Sequence, residues 1–211
     1  MPVTVLDHPL ATARLATLRD VTTSTPAFRG AMHALGLLLA AEATRRVATV
    51  PVRVHTPLAL CETVQLASQA PAVVSILRAG QGLVAPFLEV LPEAALGTIG
   101  LARDPVTHAP VPYHEKLPDG LADRVVFLVD PMLATGASAI DAVDRLVRAG
   151  ARRVVFVAVL AAPEGIDALT AAHPALDVVV AAVDDHLDDR RYIVPGLGDA
   201  GDRYFGTAGH G

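Results

Sequence analysis

The sequence predicts an α/β protein with an open, mainly parallel sheet and helices on both faces. Two observations carry this prediction. Four short segments are almost uninterrupted apolar runs, as expected of strands buried on both faces: 72–77, 125–129, 154–160 and 177–183. Between them lie segments with helical spacing or a helix-start proline: 82–90, 137–148 and 163–173. Strands that alternate with helices favour a parallel sheet joined by right-handed crossovers.

The composition excludes several classes of protein. Of 211 residues, 52% are hydrophobic and 18% are charged, whereas disordered chains combine low hydrophobicity with high net charge. The longest apolar run, 154–162, is far shorter than the roughly 20 residues of a membrane-spanning helix. A net charge of −5 argues against nucleic-acid or membrane-surface binding through charge alone. With a single cysteine, Cys61, and no recognisable signal peptide, we expect a cytoplasmic protein without disulfides.

The segment 1–60 is predicted to be an N-terminal helical arm. Ser24 and Pro26 form a helix-start signal, in which a capping residue is followed by an early proline. The apolar residues of 28–47 then recur at intervals of three and four, as on one face of a long helix. Pro51 and Pro57 punctuate the segment that follows.

Two further segments lie outside the alternating strands and helices. Residues 97–117 contain several prolines and are predicted to form a flexible hairpin that protrudes from the core, and long loops of this kind are usually functional. Residues 184–211 are rich in glycine and aspartate and are predicted to be an irregular cover, with 184–185 and 188–191 solvated. The whole chain, 1–211, is expected to be one domain.

The most informative segment is 125–148, which reads as a strand, a short loop and a helix. The strand ends in the carboxylate of Asp130, and the helix begins near Thr135 and Ser138. Ligands of open parallel sheets bind outside the carboxyl ends of the strands, and helix N-termini bind phosphate. A carboxylate beside a phosphate is unfavourable unless it faces hydroxyl groups, so the pattern favours a sugar phosphate. The alternative is that these residues only cap a helix.

Several motifs together resemble those of uracil phosphoribosyltransferases. Residues 130–138 read Asp-Pro-Met-Leu-Ala-Thr-Gly-Ala-Ser and are similar to the phosphoribosyl pyrophosphate (PRPP) loop of that family. The likeness continues, in order, at 8–10, 24–25, 42–44, 76–80, 110–113, 161–165 and 192–202. The resemblance spans nearly the whole chain. It implies the type I phosphoribosyltransferase fold and an enzyme that converts uracil and PRPP into UMP and pyrophosphate.

The resemblance also implies a donor site. Arg78 and Arg103 would contact the pyrophosphate, the first from a loop with a non-proline cis peptide near Arg78 and Ala79, the second from the hairpin. Planar guanidinium groups suit bidentate contacts to phosphate oxygens. The remaining PRPP-binding residues are Asp130, Pro131, Met132, Leu133, Ala134, Thr135, Gly136, Ala137, Ser138 and Asp199. The catalytic candidates among all of these are Arg78, Arg103, Asp130 and Asp199.

One position in the loop departs from the family, which usually has glycine where this chain has Ala137. An alanine is strained where the backbone needs a positive φ, whereas it favours a position that is already helical. The structure of the loop therefore decides whether the departure matters.

Ile193, Gly198, Asp199 and Ala200 resemble the uracil site of the family. Backbone N–H and C=O groups can match the edge of uracil, and such a site rejects cytosine because the 4-amino group is left unpaired. Magnesium is expected to arrive on the oxygens of PRPP without a direct protein ligand, because Mg²⁺ is bound mainly by substrate phosphates and water. The histidines show no metal-ligand spacing.

Other functions and partners stay open at this point. The same fold could serve an RNA-binding pyrimidine regulator, a transferase for another nucleobase, or a non-catalytic binding module. GTP is considered as an effector, and apolar arms favour a homodimer or a larger homo-oligomer. Neither a membrane nor a nucleic acid is expected as a partner. The segment 50–70 matches the family weakly, which leaves the oligomer surface and nucleotide activation undecided.

Overall fold

A computed structural model describes residues 3–67, 69–103 and 110–207. The helices in these ranges are α1 Pro9–Arg19, α2 Thr25–Thr44, α3 Gln81–Val90, α4 Ala137–Arg148, α5 Pro163–Ala172 and α6 Ala200–Phe205. The strands are β1 Val3–Val5, β2 Thr49–His55, β3 Leu60–Leu66, β4 Ala72–Leu77, β5 Ala95–Arg103, β6 Pro110–Lys116, β7 Val125–Val129, β8 Met132–Leu133, β9 Arg153–Ala161, β10 Asp177–Val183, β11 His186–Leu187 and β12 Ile193–Val194. A short 3₁₀ turn, Leu121–Asp123, precedes β7.

Eight of the described strands form one sheet in the order β1, β10, β9, β7, β4, β5 and β6, with β8 paired to β9. Neighbouring strands are parallel except for β5 and β6, which are antiparallel. The predicted α/β class with a mainly parallel sheet is confirmed. The four apolar runs correspond to β4, β7, β9 and β10, so unbroken hydrophobicity correctly indicated strands buried on both faces.

Helices cover both faces of this sheet. Alternate residues of a strand point to opposite faces, and in β7 the side chains of Val125, Phe127 and Val129 pack in one core while Val126 and Leu128 pack in the other. The first core includes buried residues of α1, α2 and α3, and the second includes those of α4 and α5. The core therefore lies in two layers, one on each side of the sheet.

The connections reverse direction between β4 and β7. From β4 the chain passes through α3 to β5 on one side, whereas from β7 it passes through α4 to β9 and through α5 to β10 on the other. A crevice forms at such a switch point, outside the carboxyl ends of the strands, and it is the usual place for a ligand in open α/β sheets. Arg78 follows β4 and Asp130 follows β7, so both lie at this crevice.

The N-terminal segment is not purely helical, so the prediction of a helical arm over 1–60 was wrong in two respects. Val3–Val5 adds a parallel strand to the edge of the main sheet, beside β10. Thr49–His55 and Leu60–Leu66 form a separate antiparallel hairpin. Pro51 lies inside this hairpin, which is possible because both strands of a two-stranded hairpin are edge strands, where a missing N–H is tolerated.

The C-terminal segment is more regular than the predicted irregular cover over 184–211. It contains a short hairpin of β11 and β12 and the helix α6. Ile193, Leu197 and Ala200 are buried against the core that holds α1, α2 and α3. These few apolar side chains attach the segment, although it is otherwise rich in glycine and aspartate. Among the predicted regions, the hairpin 97–117 is formed by β5 and β6, while its tip, 104–109, lies outside the described residues.

Candidate active site

A cavity of about 350 Å³ occupies the crevice at the carboxyl ends of β4 and β7. Two chain segments form most of its wall: the loop 130–138, called the β7–α4 loop, and the loop 193–200, called the β12–α6 loop. Of the predicted site residues, those that line the cavity are Arg78, Asp130, Met132, Leu133, Ala134, Thr135, Gly136, Ser138, Ile193, Gly198, Asp199 and Ala200. The fold thus brings together residues more than 100 positions apart in the sequence.

The β7–α4 loop is held by the strand beside it. The N–H of Asp130 donates to the carbonyl of Val157, and the carbonyl of Leu133 accepts from the N–H of Ala162 at 2.9 Å. The carbonyl of Pro131 accepts from Val159 and Leu160, both at 3.0 Å. Pro131 therefore lies beneath the loop, bonded to β9, whereas Asp130 is half-buried at the cavity.

Gly136 turns the loop into helix α4. It is the N-cap, with a left-handed backbone at φ 81° that a glycine adopts without steric cost. Ala137 is the first residue of the helix, so the alanine at this position does not need a positive φ and suits the helix. The first turn of α4 contains no acidic residue, and its last turn contains Arg145 and Arg148. This distribution leaves the positive end of the helix dipole at the cavity for an anion.

The β7–α4 loop is supported from behind by helix α5. A side chain at Gly165 would overlap the carbonyl oxygens of Ala134 and Leu133, the second of them at 2.7 Å from the added Cβ. Only a residue without a Cβ permits α5 to approach the loop so closely. Gly165 lies in the motif 161–165, which belongs to the resemblance and for which the sequence analysis gives no role.

Arg78 enters the cavity from the loop after β4. The peptide between Leu77 and Arg78 is cis, one bond before the predicted position near Arg78 and Ala79. The side chain of Arg78 is 60% exposed, and its Nη2 lies 3.7 Å from a carboxylate oxygen of Asp202. Its guanidinium also lies 5.4 Å from the ring centroid of Phe205. The cation is thus placed between the cavity and α6, with a weak ion pair that a phosphate could replace.

Arg103 is the last residue of β5, and its side chain lies outside the described residues. The strand pairing shows the backbone there beside Pro110, at the start of the undescribed tip. Leu101, two residues before Arg103, lines the cavity. The hairpin therefore reaches the site.

The β12–α6 loop presents mainly backbone. Ile193 is buried, the Val194–Pro195 peptide is cis, and Gly198 has a positive φ of 76°. Asp199 caps α6, because its Oδ1 accepts a hydrogen bond from the N–H of Asp202 at 2.9 Å. A carboxylate that both caps a helix and faces the cavity is fixed in orientation.

A buried ion pair holds this second loop, and sequence reasoning did not find it. Asp184, predicted to be solvated, is only 6% exposed. Arg19 donates to both of its carboxylate oxygens, at 2.7 and 2.5 Å. The hydrogen bond to Asp184 raises the pKa of Arg19 although the guanidinium is partly buried. The sequence carries one signal for the burial of Asp184: it directly follows the apolar run that ends β10, which places it at the edge of the core.

A second arginine ties the same loop to helix α1. Arg203 donates to the carbonyl of Leu197 at 2.8 Å and to the carbonyls of Leu18 and Asp20. Its guanidinium lies 4.5 Å from the ring centroid of Phe28, and burial lowers its pKa. Arg203 therefore neutralises carbonyls at the C-terminal end of α1 and fixes the β12–α6 loop against it.

The cavity residues that were not predicted as site residues include Arg190 and Arg191, which were assigned to a solvated loop, and Tyr192, which was noted only within the motif 192–202. They precede the β12–α6 loop in a tight turn, in which Asp188 accepts hydrogen bonds from the N–H groups of Arg190 and Tyr192. Arg191 has a φ of 66° and is the one described non-glycine residue with a positive φ. Two arginines at the mouth add positive charge to a cavity that already contains Arg78.

The site offers carboxylates but no cluster that would bind a metal by itself. Within the described part of the chain, no three His, Cys, Asp or Glu side chains converge to hold an ion. Asp130 and Asp199 both line the cavity. Such a site suits a cation held mainly by ligand oxygens rather than an all-protein cage.

Comparison with known proteins agrees with this geometry. Residues 5–207 match the family model described as uracil phosphoribosyltransferase. The chain belongs to the uracil phosphoribosyltransferase family. The family predicted from the motifs, and with it the class of phosphoribosyl-transferring enzymes, is confirmed.

The similarity to individual relatives extends over almost the full length of this chain. A uracil phosphoribosyltransferase of Paracoccus denitrificans is 50% identical over 205 residues, which are 97% of each chain. The solved structure of the AQ2163 protein from Aquifex aeolicus has a TM-score of 0.93 and 32% identity, and covers 99% of this chain and 100% of that one. An adenine phosphoribosyltransferase of Trypanosoma brucei shares the fold, with a TM-score of 0.57 and 13% identity over 90% of this chain and 86% of that one.

None of the helices in the described ranges combines the length and apolar character that crossing a bilayer requires.

Proposed function

We propose that this protein transfers the phosphoribosyl group of PRPP to uracil and forms UMP and pyrophosphate. One observation supports this most strongly: the β7–α4 loop, with its helix N-terminus and carboxylate, faces the backbone-rich β12–α6 loop across one cavity. The first suits a sugar phosphate and the second suits a planar base with donor and acceptor groups along one edge. Membership of the family supports the same reaction.

The β7–α4 loop is assigned to the donor. Thr135, Gly136 and Ser138, at the start of α4, bind the 5′-phosphate with hydroxyl and backbone N–H groups, and the helix dipole favours its charge. Asp130, at the end of β7, accepts hydrogen bonds from the ribose hydroxyls. This assignment removes the conflict between a carboxylate and a phosphate in one site. The rest of the predicted loop, Pro131 to Ala134 and Ala137, gives the backbone its shape.

The leaving group is assigned to the arginines. As the bond between the ribose C1′ and the pyrophosphate oxygen breaks, negative charge grows on the pyrophosphate. Arg78 stabilises it from the loop after β4, and Arg103 does so from the hairpin. The hairpin also excludes water, which would otherwise hydrolyse PRPP. Arg190 and Arg191 strengthen the positive potential at the mouth that attracts a highly anionic donor.

The β12–α6 loop is assigned to uracil. Backbone groups of Ile193, Gly198 and Ala200 pair with the edge of the ring and hold N1 toward C1′. The N1–C1′ bond forms as the bond between C1′ and the pyrophosphate oxygen breaks, and the departing pyrophosphate takes up the proton of N1. Asp199, which is fixed as the cap of α6, would support the magnesium carried by the donor.

Magnesium is the implied cofactor, and the chemistry of the side chains at the cavity fits it. Asp130 and Asp199 are carboxylates at the cavity, while no three ligands converge among the described residues. Mg²⁺ would therefore be held mainly by oxygens of PRPP, with these carboxylates in support. When bound, it supplies charge neutralisation to the pyrophosphate.

Further features of the protein stay proposals. The whole chain, 1–211, acts as one domain in the cytoplasm and assembles as a homodimer or larger homo-oligomer. The exposed apolar side chains of the β2–β3 hairpin, such as Val54, Leu60 and Val64, support an assembly. GTP is retained as a candidate effector. Turnover measured with and without GTP, and mass determination in solution, test these points.

The first experiment measures UMP formed from labelled uracil, PRPP and Mg²⁺, with cytosine and hypoxanthine as alternative acceptors. We expect UMP from uracil alone. Arg103→Ala should lower kcat by about 100-fold, the scale of losing one transition-state contact. Arg14→Ala, an exposed arginine on α1, is the matched control and should leave the rate unchanged.

The alternatives give different outcomes. A nucleotide product with hypoxanthine and none with uracil would indicate a transferase for another base. No product, together with specific RNA binding, would indicate a regulator built on the same fold. An unchanged rate in Arg103→Ala would remove the proposed role of the hairpin while leaving the reaction intact.

A further inference from the structure

We propose that Arg19 and Asp184 are a positioning pair for the base-recognising backbone and thereby set the selectivity for uracil. The proposal rests on the assignment of the β12–α6 loop to uracil. Neither residue lines the cavity, so both act through Gly196, a residue of the β12–α6 loop to which both are hydrogen-bonded.

The pair holds one peptide segment from both sides. Asp184 Oδ2 accepts a hydrogen bond from the N–H of Gly196 at 2.8 Å. Arg19 Nη1 donates to the carbonyl of the same Gly196 at 2.8 Å, and to Asp184 Oδ2 at 2.7 Å. The donor and the acceptor of Gly196 are therefore both used, and the two side chains that use them are bonded to each other. These two groups belong to the two peptide units that flank the Gly196 Cα, so rotation of either unit would break a charge-assisted hydrogen bond to the pair.

The clamp is anchored in the rigid part of the fold. Asp184 directly follows β10, and its N–H donates to the carbonyl of Ala161, the last residue of β9, at 2.8 Å. Arg19 is the last residue of α1, which packs against the core. A hydrogen-bonded path thus runs from the carboxyl end of the sheet, through Asp184, to Gly196. The β7–α4 loop lies at the same end of the sheet, so the sheet supports both of the loops assigned to the substrates.

Because Asp184 is buried, its carboxylate depends on the ion pair with Arg19. Its carboxylate is 4% exposed and Arg19 is 27% exposed. A buried carboxylate without its partner is unfavourable, so the pair is kept together in the folded chain. Arg19 and Asp184 lie 165 positions apart in the sequence. Their contact therefore also joins helix α1 to the C-terminal segment that follows β10.

A site made of backbone groups depends on such support. A side chain can choose another rotamer, whereas a backbone N–H or C=O moves only with its peptide. A displacement of about 1 Å at a positioning element lowers activity up to 100-fold. Loosening Gly196 should therefore weaken uracil binding and relax the choice between bases, while the PRPP subsite on β7 and α4 stays intact.

The test compares the KM values for uracil and for PRPP in Arg19→Met, Arg19→Lys and Asp184→Asn. We expect the KM for uracil to rise 10- to 100-fold in Arg19→Met, with the KM for PRPP changed less than about twofold. Arg19→Lys keeps the charge but loses the bidentate geometry, so its KM should be intermediate. The ratio of kcat/KM for uracil to that for cytosine should fall in parallel.

Two further measurements separate positioning from stability. Arg145→Met removes a comparable arginine, bonded to Asp141 and Glu115 on the other face of the sheet, and should lower Tm without moving the KM for uracil. The double variant Arg19→Met with Asp184→Asn should raise the KM for uracil no more than the worse single variant, because the two residues act as a unit.

The proposal is overturned if Arg19→Lys and Asp184→Asn lower Tm while both KM values stay at the wild-type level. It is also overturned if the two KM values rise together, since that pattern indicates general loosening of the site. Failure of the proposed function looks different: the wild-type protein would then form no UMP from uracil. If Arg19→Met does not fold, the two conservative variants still decide between these outcomes.

Discussion

The two loops that face each other across the cavity are held by different means. The β7–α4 loop continues a buried strand into a twelve-residue helix, and its supports are backbone bonds to β9, the strand alongside. The β12–α6 loop follows a two-residue strand and leads into a six-residue helix. Its supports are the side chains of Arg19 and Arg203, which bond it to helix α1.

This difference shows which part of a site follows from general rules. An anion site at a helix N-terminus after a parallel strand needs only a short motif and the sheet beneath it. A backbone edge that matches a base has no such general scaffold, so distant side chains must position it. Substitutions that probe each loop should therefore separate donor binding from base binding.

The largest effect is expected at the β7–α4 loop, from Gly165→Ala. The new Cβ would overlap the carbonyl oxygens of Leu133 and Ala134, so α5 and the loop must move apart. We expect a loss of about 1–3 kcal/mol in the free energy of unfolding, the range for overpacking, and a higher KM for PRPP. Denaturant unfolding and steady-state kinetics measure both.

Gly30→Ala is the control for this substitution. Gly30 lies in α2, and an added Cβ would meet no atom within 4 Å. Alanine is the better helix former, so this variant should gain about 0.5–1 kcal/mol. A Gly165→Ala variant with wild-type stability and KM would show that α5 does not support the loop.

A smaller effect is expected beside the β12–α6 loop, from Arg191→Gly. The φ of 66° at Arg191 is unfavourable for a residue with a Cβ and costs glycine nothing. Arg191→Gly should therefore raise the free energy of unfolding by up to about 1 kcal/mol, measured by denaturant titration. Arg191→Ala loses the guanidinium but keeps the Cβ, so it should bring no such gain. Equal stability of the two variants would show that the positive φ at Arg191 does not lower the free energy of unfolding.

The smallest effect concerns a contact between neighbours of the two loops: α5, which packs behind the β7–α4 loop, and β11, which pairs with β12. Glu164, in the first turn of α5, accepts a hydrogen bond from the N–H of Leu187 in β11 at 3.0 Å. This bond holds the pKa of the Glu164 carboxyl below its ordinary value. The folded-state pKa is thus the lower one, so the carboxylate adds stability above the ordinary pKa and loses it as the pH falls through the folded-state pKa.

Glu164→Gln should accordingly reduce the acid-side loss of Tm, because glutamine does not titrate. The change should be small, since the carboxylate is exposed to solvent. Thermal unfolding of both proteins over the acid range measures it. If Tm depends on pH in the same way in both proteins, the hydrogen bond of Glu164 adds no pH-dependent stability.

Much of the fold and one wall of the cavity could be predicted from local sequence. Apolar runs such as 125–129 identified the buried strands, and the carboxylate after that run identified the edge where ligands bind. The loop motif then predicted most of the residues that line one wall of the cavity, although Pro131 and Ala137 do not line it. These features depend on neighbours in the sequence, or on rules shared by all parallel sheets.

The rest could not be predicted because it depends on distant contacts. The place of Asp184 directly after β10 indicates the edge of the core, but nothing local identifies the cation that pairs with it. The partner of Asp184 comes from a helix 165 positions earlier, and no pattern in the sequence links the two. The β2–β3 hairpin was missed for another reason: Pro51 and Pro57 suggested interruption, although a proline is tolerated on an edge strand.

The central claim, that the two loops bind the two parts of the reaction, is tested most directly by amide hydrogen exchange with bound ligands. PRPP with Mg²⁺ should slow exchange in 130–140 and near Arg78, and leave 193–198 unchanged, because Asp199 is the residue of the β12–α6 loop assigned to the donor. UMP, which carries both a phosphate and the base, should slow exchange in both segments. Protection of 193–198 by PRPP and not by UMP would contradict the assignment of the β12–α6 loop to the base.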